Sequence, residues 1–305
     1  MKAIIMAGGK GTRLYPLTSF LPKPLMPVVD RPLLQYTLAH LASAGIEEVA
    51  LSLSYQSGKI LDFLDNHGIA NIVVHTYFES DPLGTAGGVK NSGGFLDETF
   101  LVVSGDALAF PHIEKIAAFH RERKSLCTIL TVARDNPREY GMISSGEDGR
   151  IRSFKEKPGT MTPGDQANTG IYMMEPEILD YIPQAAAFDF SKDLFPLLLG
   201  KGLPLYAMPL ESYWRDIGNL RQYFCANLDL LGKKPRFIAK NAFVHPRAVI
   251  GKGTIIGDGA IVGPQVELES AILWPNTIVW GKKKLKNVIL AEDIMVHLPS
   301  GNKMI

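Results

Sequence analysis

Cysteine is scarce in this 305-residue chain, with only Cys127 and Cys225 present. Two thiols are too few for a disulfide framework, and a reducing, cytoplasmic setting is the expectation. An excess of one charge is missing too. Lys and Arg number 32 against 31 Asp and Glu, a net charge of +1, so composition gives no bulk electrostatic case for nucleic acid or a membrane surface as partner. No apolar run is long enough to span a bilayer. The run after Lys2 is too short, and reaches glycine too soon, to read as a leader peptide. Two phosphate-loop patterns are also absent. No segment fits G-x-x-x-x-G-K-[ST]. The run Gly9-Lys10-Gly11-Thr12-Arg13-Leu14 fails as a dinucleotide fingerprint, because prolines follow it and the second strand ends without an acidic residue in Ser52-Leu53-Ser54-Tyr55.

What is present is ordinary for a globular protein, 46% hydrophobic and 21% charged, with length enough for two domains. The chain is organised around its opening segment. Ala3-Ile4-Ile5-Met6 has the length and bounds of a buried strand in a parallel sheet. It empties into Gly8, Gly9 and Gly11, where backbone can approach a ligand closely and successive N–H groups can form an anion-binding concavity. Arg13 and Lys23 add two cations, and Pro16, Pro22, Pro24 and Pro27 keep the loop from becoming a helix. Such a loop suits a polyphosphate. The full string G-G-x-G-T-R-L-x-P-L-T…P-K-P resembles the signature of the sugar nucleotidyltransferases, also called nucleoside-diphosphate-sugar pyrophosphorylases. That resemblance implies that Ala7, Gly8, Gly9, Gly11, Thr12 and Arg13 bind nucleotide, and that Arg13 and Lys23 serve catalysis.

Beyond the loop, Asp30-Arg31-Pro32 reads as a helix start, Leu34, Leu38 and Leu41 keep helical spacing, and Gly45 stops the helix. A strand at 49–53, a helix near 57–67 and a strand at 72–76 follow. This alternation predicts an α/β fold, a Rossmann-like, mostly parallel sheet with helices on both faces and its ligand site beyond the carboxyl ends of the strands. Pro82-Leu83-Gly84-Thr85-Ala86-Gly87 reads alone as a turn opening a helix; by resemblance Gly84, Thr85 and Gly87 wall the nucleotide base. The apolar strand Phe100–Val103 ends in Ser104-Gly105-Asp106. Asp106 reads alone either as a turn or cap residue or as a hard ligand for Mg²⁺, and the resemblance implies the metal role.

The same resemblance assigns the sugar phosphate to Gly141, Glu156, Lys157 and Asn168, through Tyr140-Gly141, Glu156-Lys157-Pro158 and Asn168-Thr169-Gly170-Ile171-Tyr172. Without it, Glu156-Lys157 is a solvated charge pair. Trp214-Arg215-Asp216-Ile217-Gly218 resembles the family's W-x-D-I-G element, which makes Asp216 the second metal carboxylate; Trp214 itself reads more simply as a core residue than as a stacking one.

A helix through Leu231 and the linker Gly232-Lys233-Lys234-Pro235 divide a catalytic domain, 1–232, from a second domain, 233–305. There a bulky residue recurs every six positions at Val244, Ile250, Ile256, Val262, Leu268, Trp274 and Trp280. This hexapeptide rhythm resembles that of a short left-handed parallel β-helix. Gly281-Lys282-Lys283-Lys284 breaks the rhythm and reads as a loop off the coil, with a weak resumption at Val288-Ile289-Leu290. Related coils host acyltransferases, but His245 and His297 alone are thin support, and a structural or homo-oligomer-forming module is expected.

The implied reaction is Mg²⁺-dependent transfer from a nucleoside triphosphate to a sugar-1-phosphate, releasing pyrophosphate. Within the family the layout most resembles the mannose-1-phosphate guanylyltransferases, which implies GTP and mannose-1-phosphate. Glucose- or heptose-1-phosphate with another base is the alternative, and a non-catalytic nucleotide-sugar-binding regulatory subunit is the reading from another class. Ala107 departs from the polar residue that many relatives carry after the aspartate.

Overall fold

The computed structural model describes residues 1–69 and 71–299. The chain divides into two compact units, one made of Met1–Lys10 and Leu34–Asp216, the other of Gly11–Leu33 and the chain from Ile217 on.

Among the described residues, nine strands of the first unit form one sheet. Its centre is parallel: Lys2–Met6 lies between Phe100–Ser104 and Glu48–Leu53, and Val73–Phe78 extends it. Ala3, Ile4 and Ile5 are all fully buried. Successive strand residues point to opposite faces, so both faces here are covered, which is why this strand reads as an unbroken apolar run. Helices α1 (Leu33–Ser43), α2 (Ser57–Asn66), α3 (Gly84–Asn91) and α4 (Ile113–Glu122) alternate with the strands. Ile4, Ala50 and Val102 share one core cluster with Ala86 and Val89 of α3 and with Phe195 and Leu198 of α5 (Phe195–Gly200). The rest of the sheet is largely antiparallel. Gln166–Met174 pairs with Phe100–Ser104, Cys127–Val132 and Gly141–Ser145, and Ile151–Glu156 pairs with the last of these. Cys127 is buried at the start of its strand, and burial pushes its thiol well above the ordinary range, so it stays protonated; both cysteines are free. Among the described residues no helix is long and apolar enough to cross a membrane.

In the second unit, Pro27–Val28 and Arg31–Pro32 form a short antiparallel hairpin. Pro32 therefore belongs to this hairpin, and the helix expected to begin there starts at Leu33. Pro27 and Pro32 face each other, so neither lacks a ladder bond it could have made.

Helix α6 (Leu220–Leu231) is followed by stacked parallel strands. Arg236 aligns with Thr254, Phe243 with Ile261 and Val249 with Glu267, an offset of eighteen residues, or three hexads per turn. Beyond Leu268 the offset drops to seventeen: Ile256 aligns with Leu273, Val262 with Val279 and Leu268 with Leu285. One residue has been lost at the corner where Ser270 adopts φ +49°, and the inward phase moves back by one. Leu273, Val279 and Leu285 are buried in the coil, whereas Trp280, expected inside, is 57% exposed. The lysine-rich segment is likewise no loop. Lys283–Ala291 is a strand of the coil, with Lys284 and Lys286 paired outward to Glu267 and Glu269 on the strand below. Ile294–His297 then pairs antiparallel with it and covers its free edge.

Candidate active site

In the first unit, Met6 aligns with both Ser52 and Ser104, so three parallel strands end level. Ala7-Gly8-Gly9 and Gly105-Asp106 leave from the same edge. The Gly105 amide donates to the Met6 carbonyl at 3.0 Å, and a Cβ there would lie 2.6 Å from that oxygen. Glycine alone allows this close turn, and the turn fixes where Asp106 begins. The Ser104 hydroxyl donates to Asp106 Oδ1. Immediately afterwards Ala107–Ala109 pairs antiparallel with Trp214–Asp216, placing Ala107 opposite Asp216. Two aspartates far apart in sequence thus occupy neighbouring positions, both half-buried rather than sealed in the core. Tyr140 lies close by: its own burial, followed by the charges of Asp216 and Glu139, holds its phenol above the usual range.

Among the described residues no group of three or more His, Cys, Asp or Glu is placed to hold a metal ion. The pair at this edge offers hard carboxylate oxygens, and Mg²⁺ commonly takes one or two carboxylates together with phosphate oxygens and water. The donor chemistry fits that ion.

The strand register brings the expected sugar-phosphate residues to the same edge. Gly141 pairs with Glu156, and a Cβ on Gly141 would lie 2.9 Å from Glu156 Oε2 and 2.5 Å from the Phe154 ring. Lys157 follows with φ +45°, its amide donating to the Tyr140 carbonyl at 3.1 Å. Its ammonium lies 3.5 Å from Glu156 Oε1, with the lysine half-exposed. Asn168 donates to the Tyr172 hydroxyl at 2.9 Å and accepts from the Gly170 amide at 2.9 Å. Gly170 has φ +76° and would set a Cβ 2.9 Å from that of Ser104, so this strand runs close against the Asp106 turn. Trp214 is buried and donates through Nε1 to the Thr169 carbonyl at 3.0 Å. The Arg134 guanidinium lies 4.9 Å from the centre of its ring. Trp214 is a core residue, as the simpler reading held; Arg134, with no motif around it, was not picked out from the sequence.

The segment expected to wall a base packs on one side against residues 186–190. The Phe188 carbonyl accepts from Ala86 and Gly87 at 3.0 Å each, and a Cβ on Gly84 would lie 2.7 Å from that same oxygen. The Thr85 hydroxyl donates to Asp189 Oδ2 at 2.8 Å and accepts from the Phe190 amide at 2.9 Å. Close packing against residues 186–190 is thus one reason for the small residues here. Glu79 opens the same stretch of sequence, which by itself assigns it no role. Its carboxylate accepts from the Ser52 hydroxyl at 2.5 Å and the Leu83 amide at 3.0 Å. It lies beside Gly8, whose added Cβ would come within 3.7 Å of Oε1.

Gly11, Thr12, Arg13 and Lys23 belong to the second unit. Gly11 takes φ +60°, and short 3-10 turns at Thr12–Leu14, Leu17–Ser19 and Lys23–Leu25 fold the loop on itself. A Cβ on Gly11 would sit 3.0 Å from Thr18 Cγ2 and 3.4 Å from Lys23 Cβ, so this glycine lets the two ends of the loop pack together. Arg13 is exposed and Lys23 is buried. The loop ends in the hairpin, where Val29 has φ +57°, a conformation costing a β-branched residue on the order of 1–3 kcal/mol. Two side chains of α6 hold it: Asn227 Oδ1 accepts from the Val29 amide at 2.8 Å, and the Tyr223 hydroxyl donates to the Pro27 carbonyl.

Comparison with known proteins places this arrangement. Residues 2–233 match the Nucleotidyl transferase family, and residues 237–270 match the bacterial transferase hexapeptide repeats. A UTP–glucose-1-phosphate uridylyltransferase from Synechocystis is 34% identical over 77% of this chain and 64% of its own length. A mannose-1-phosphate guanylyltransferase from Mycobacterium tuberculosis is 35% identical over 75% of this chain and 64% of its own. The chain thus spans somewhat under two thirds of the length of these relatives. Among solved structures, HddC from Yersinia pseudotuberculosis matches with a TM-score of 0.65 at 27% identity, covering 75% of this chain and 99% of that one. The same protein has been solved with GMP-PN, with a TM-score of 0.64. With a family match running over most of its length, the chain belongs to the nucleotidyl transferase family and carries a hexapeptide-repeat segment behind it.

Proposed function

We propose that this protein transfers a nucleotidyl group from a nucleoside triphosphate to a sugar-1-phosphate, giving a nucleoside-diphosphate sugar and pyrophosphate, with GTP and mannose-1-phosphate as the preferred pair. The observation that supports the reading is the pairing of Asp216 with Ala107, the residue after Asp106, next to the edge where the parallel strands end.

A phosphate oxygen of the sugar-1-phosphate attacks the α-phosphorus. The new P–O bond forms as the bond between the α-phosphorus and its bridging oxygen breaks, and pyrophosphate leaves with that electron pair. The nucleophile is already an anion, so no general base is needed. The obstacle is bringing two polyanions together, which calls for positioning and neutralisation. Arg13 orients the triphosphate and offsets charge on the departing pyrophosphate. Lys23 serves the reacting phosphates, and Lys157 holds the sugar phosphate while Glu156 and Asn168 take sugar hydroxyls. Asp106 and Asp216 would hold Mg²⁺, which supplies Lewis-acid stabilisation to phosphate oxygens when bound.

Glu79 is what favours guanine. A carboxylate accepts hydrogen bonds and donates none. Guanine offers ring N–H and exocyclic amino donors on one edge, whereas uracil and thymine flank their single ring N–H with carbonyl oxygens that a carboxylate repels. Glu79→Gln is expected to shift preference from GTP toward UTP or dTTP by roughly 10- to 100-fold in kcat/KM; an unchanged ratio removes Glu79 from base selection.

The test is pyrophosphate release measured across a panel of nucleoside triphosphates and sugar-1-phosphates with Mg²⁺. Turnover fastest with GTP and mannose-1-phosphate is the expected result. Preference for UTP and glucose-1-phosphate would correct the substrates, and silence across the panel would leave the regulatory, nucleotide-sugar-binding reading.

A further inference from the structure

The loop that carries Arg13 and Lys23 groups with α6 and the hexad coil, not with the sheet from which it emerges. A continuous set of polar contacts joins the loop to them. Trp274 Nε1 donates to the Tyr223 hydroxyl at 2.8 Å, and that hydroxyl donates in turn to the Pro27 carbonyl at the end of the loop. The direction is fixed by chemistry: an indole N–H can only donate and a carbonyl can only accept. Burial holds the Tyr223 phenol well above its usual range, so its proton stays in place. Asn227, fully buried one turn further along α6, accepts from the Val29 amide at 2.8 Å and donates to the Tyr223 carbonyl at 3.0 Å. Chains of this kind, with every member satisfied, fix geometry more firmly than separate bonds do.

Trp274 comes from the coil itself. Its amide bonds the Leu290 carbonyl of the next turn at 2.9 Å, and its ring lies edge-on to Tyr223 with centroids 6.4 Å apart. The seventeen-residue offset explains how a hexad tryptophan comes to meet α6. After the lost residue the inward position passes to Leu273, and Trp274 stacks above Gly257, where an added Cβ would strike its backbone at 2.8 Å.

We propose that the C-terminal coil serves to position the phosphate-binding loop, with Trp274, Tyr223 and Asn227 as positioning residues acting through Pro27 and Val29. The proposal rests on the nucleotidyl-transfer reading for what the loop binds, but not for the anchoring itself, so two readouts separate them. Tyr223→Phe removes one link while keeping the ring, and Trp274→Phe removes the other while leaving a smaller aromatic ring in place of the indole. In hydrogen exchange on the full chain, both variants are expected to speed exchange of the protected amides in 11–33 by about tenfold, the factor for one buried hydrogen bond. Amides of Lys2–Met6 and Phe100–Ser104 should keep their wild-type rates. In steady-state kinetics both should raise KM for the triphosphate, or lower kcat, with KM for the sugar-1-phosphate unchanged. Wild-type exchange over 11–33 in both variants would overturn the proposal. So would an equal loss of protection in 11–33 and 34–216, because the relay would then be only a general stabiliser. A wild-type protein silent toward every triphosphate would end the activity reading and leave the exchange result to decide the anchoring.

Discussion

The two groups of candidate site residues are placed by different means. In the first unit the placement is backbone work: Met6 against Ser104, Ala107 against Asp216 and Gly141 against Glu156 are ladder positions, set by strands whose apolar residues have only one buried register. In the second unit the placement is side-chain work, in which a loop of short turns is tied by Tyr223 and Asn227 to a helix almost two hundred residues away. A ladder depends on its apolar neighbours and resists single polar changes. A relay fails with one lost donor. The first arrangement suits groups that must hold a fixed separation, and the second suits the role proposed for the loop, presenting Arg13 and Lys23 to a triphosphate.

The ladder edge should suffer most from a change made directly at it. Gly105→Ala would drive a Cβ to 2.6 Å from the Met6 carbonyl oxygen. The expected cost is about 1–3 kcal/mol of stability, read from denaturant unfolding, with kcat falling at least tenfold as the Asp106 turn shifts. A variant with wild-type kcat would show that the edge tolerates displacement. A smaller effect is expected from Lys157→Ala, because its ammonium is half-exposed and already pairs with Glu156 at 3.5 Å. KM for the sugar-1-phosphate should rise roughly tenfold with little change in kcat, the mark of lost ground-state binding. A fall in kcat alone would move Lys157 into the transition state.

The mildest effect is a pH dependence in the first unit, among residues that serve no site. Buried His120 contacts the Thr128 hydroxyl at 2.8 Å and Glu175 Oε1 at 3.1 Å, and Glu175 also accepts from Thr99. Burial lowers the His120 pKa below its ordinary 6.5, against a smaller raising effect from Glu175. Below about pH 6.5 the unfolded chain then binds a proton that the folded one resists. Stability should therefore be full above that pH and decline as pH falls through it. His120→Gln should remove this part of the slope, and melting curves from pH 5 to 8 measure it; a variant with an undiminished slope would assign the loss to other groups.

Much of the first unit was legible because its signals are local. Unbroken apolar strands, glycines where backbone meets backbone and the turn that follows Phe100–Ser104 are all set by residues close by in sequence. The resemblance extended that to Asp216, though nothing local says that Trp214–Asp216 pairs with Ala107–Ala109. The anchoring of the loop was not legible. Tyr223 and Asn227 read as ordinary helix residues, and only tertiary packing sets them against Val29 and Pro27. The coil was legible in its period but not in its phase. A one-residue loss near Ser270 moves the inward position from Trp280 to Val279, and a pattern counted in sixes from Val244 then mistakes the outward lysines of Lys283–Ala291 for a loop.

The most direct test of the central claim, that Asp106 and Asp216 act as one unit at the sheet edge, is a double-mutant cycle in kcat with Asp106→Asn and Asp216→Asn. Each single change is expected to lower kcat on the order of 10²–10³-fold, with hydrogen exchange of the sheet unchanged. If the two carboxylates share one function, the double variant loses no more than the worse single one. Losses that multiply would mean two independent groups, and the account built on their pairing would be contradicted.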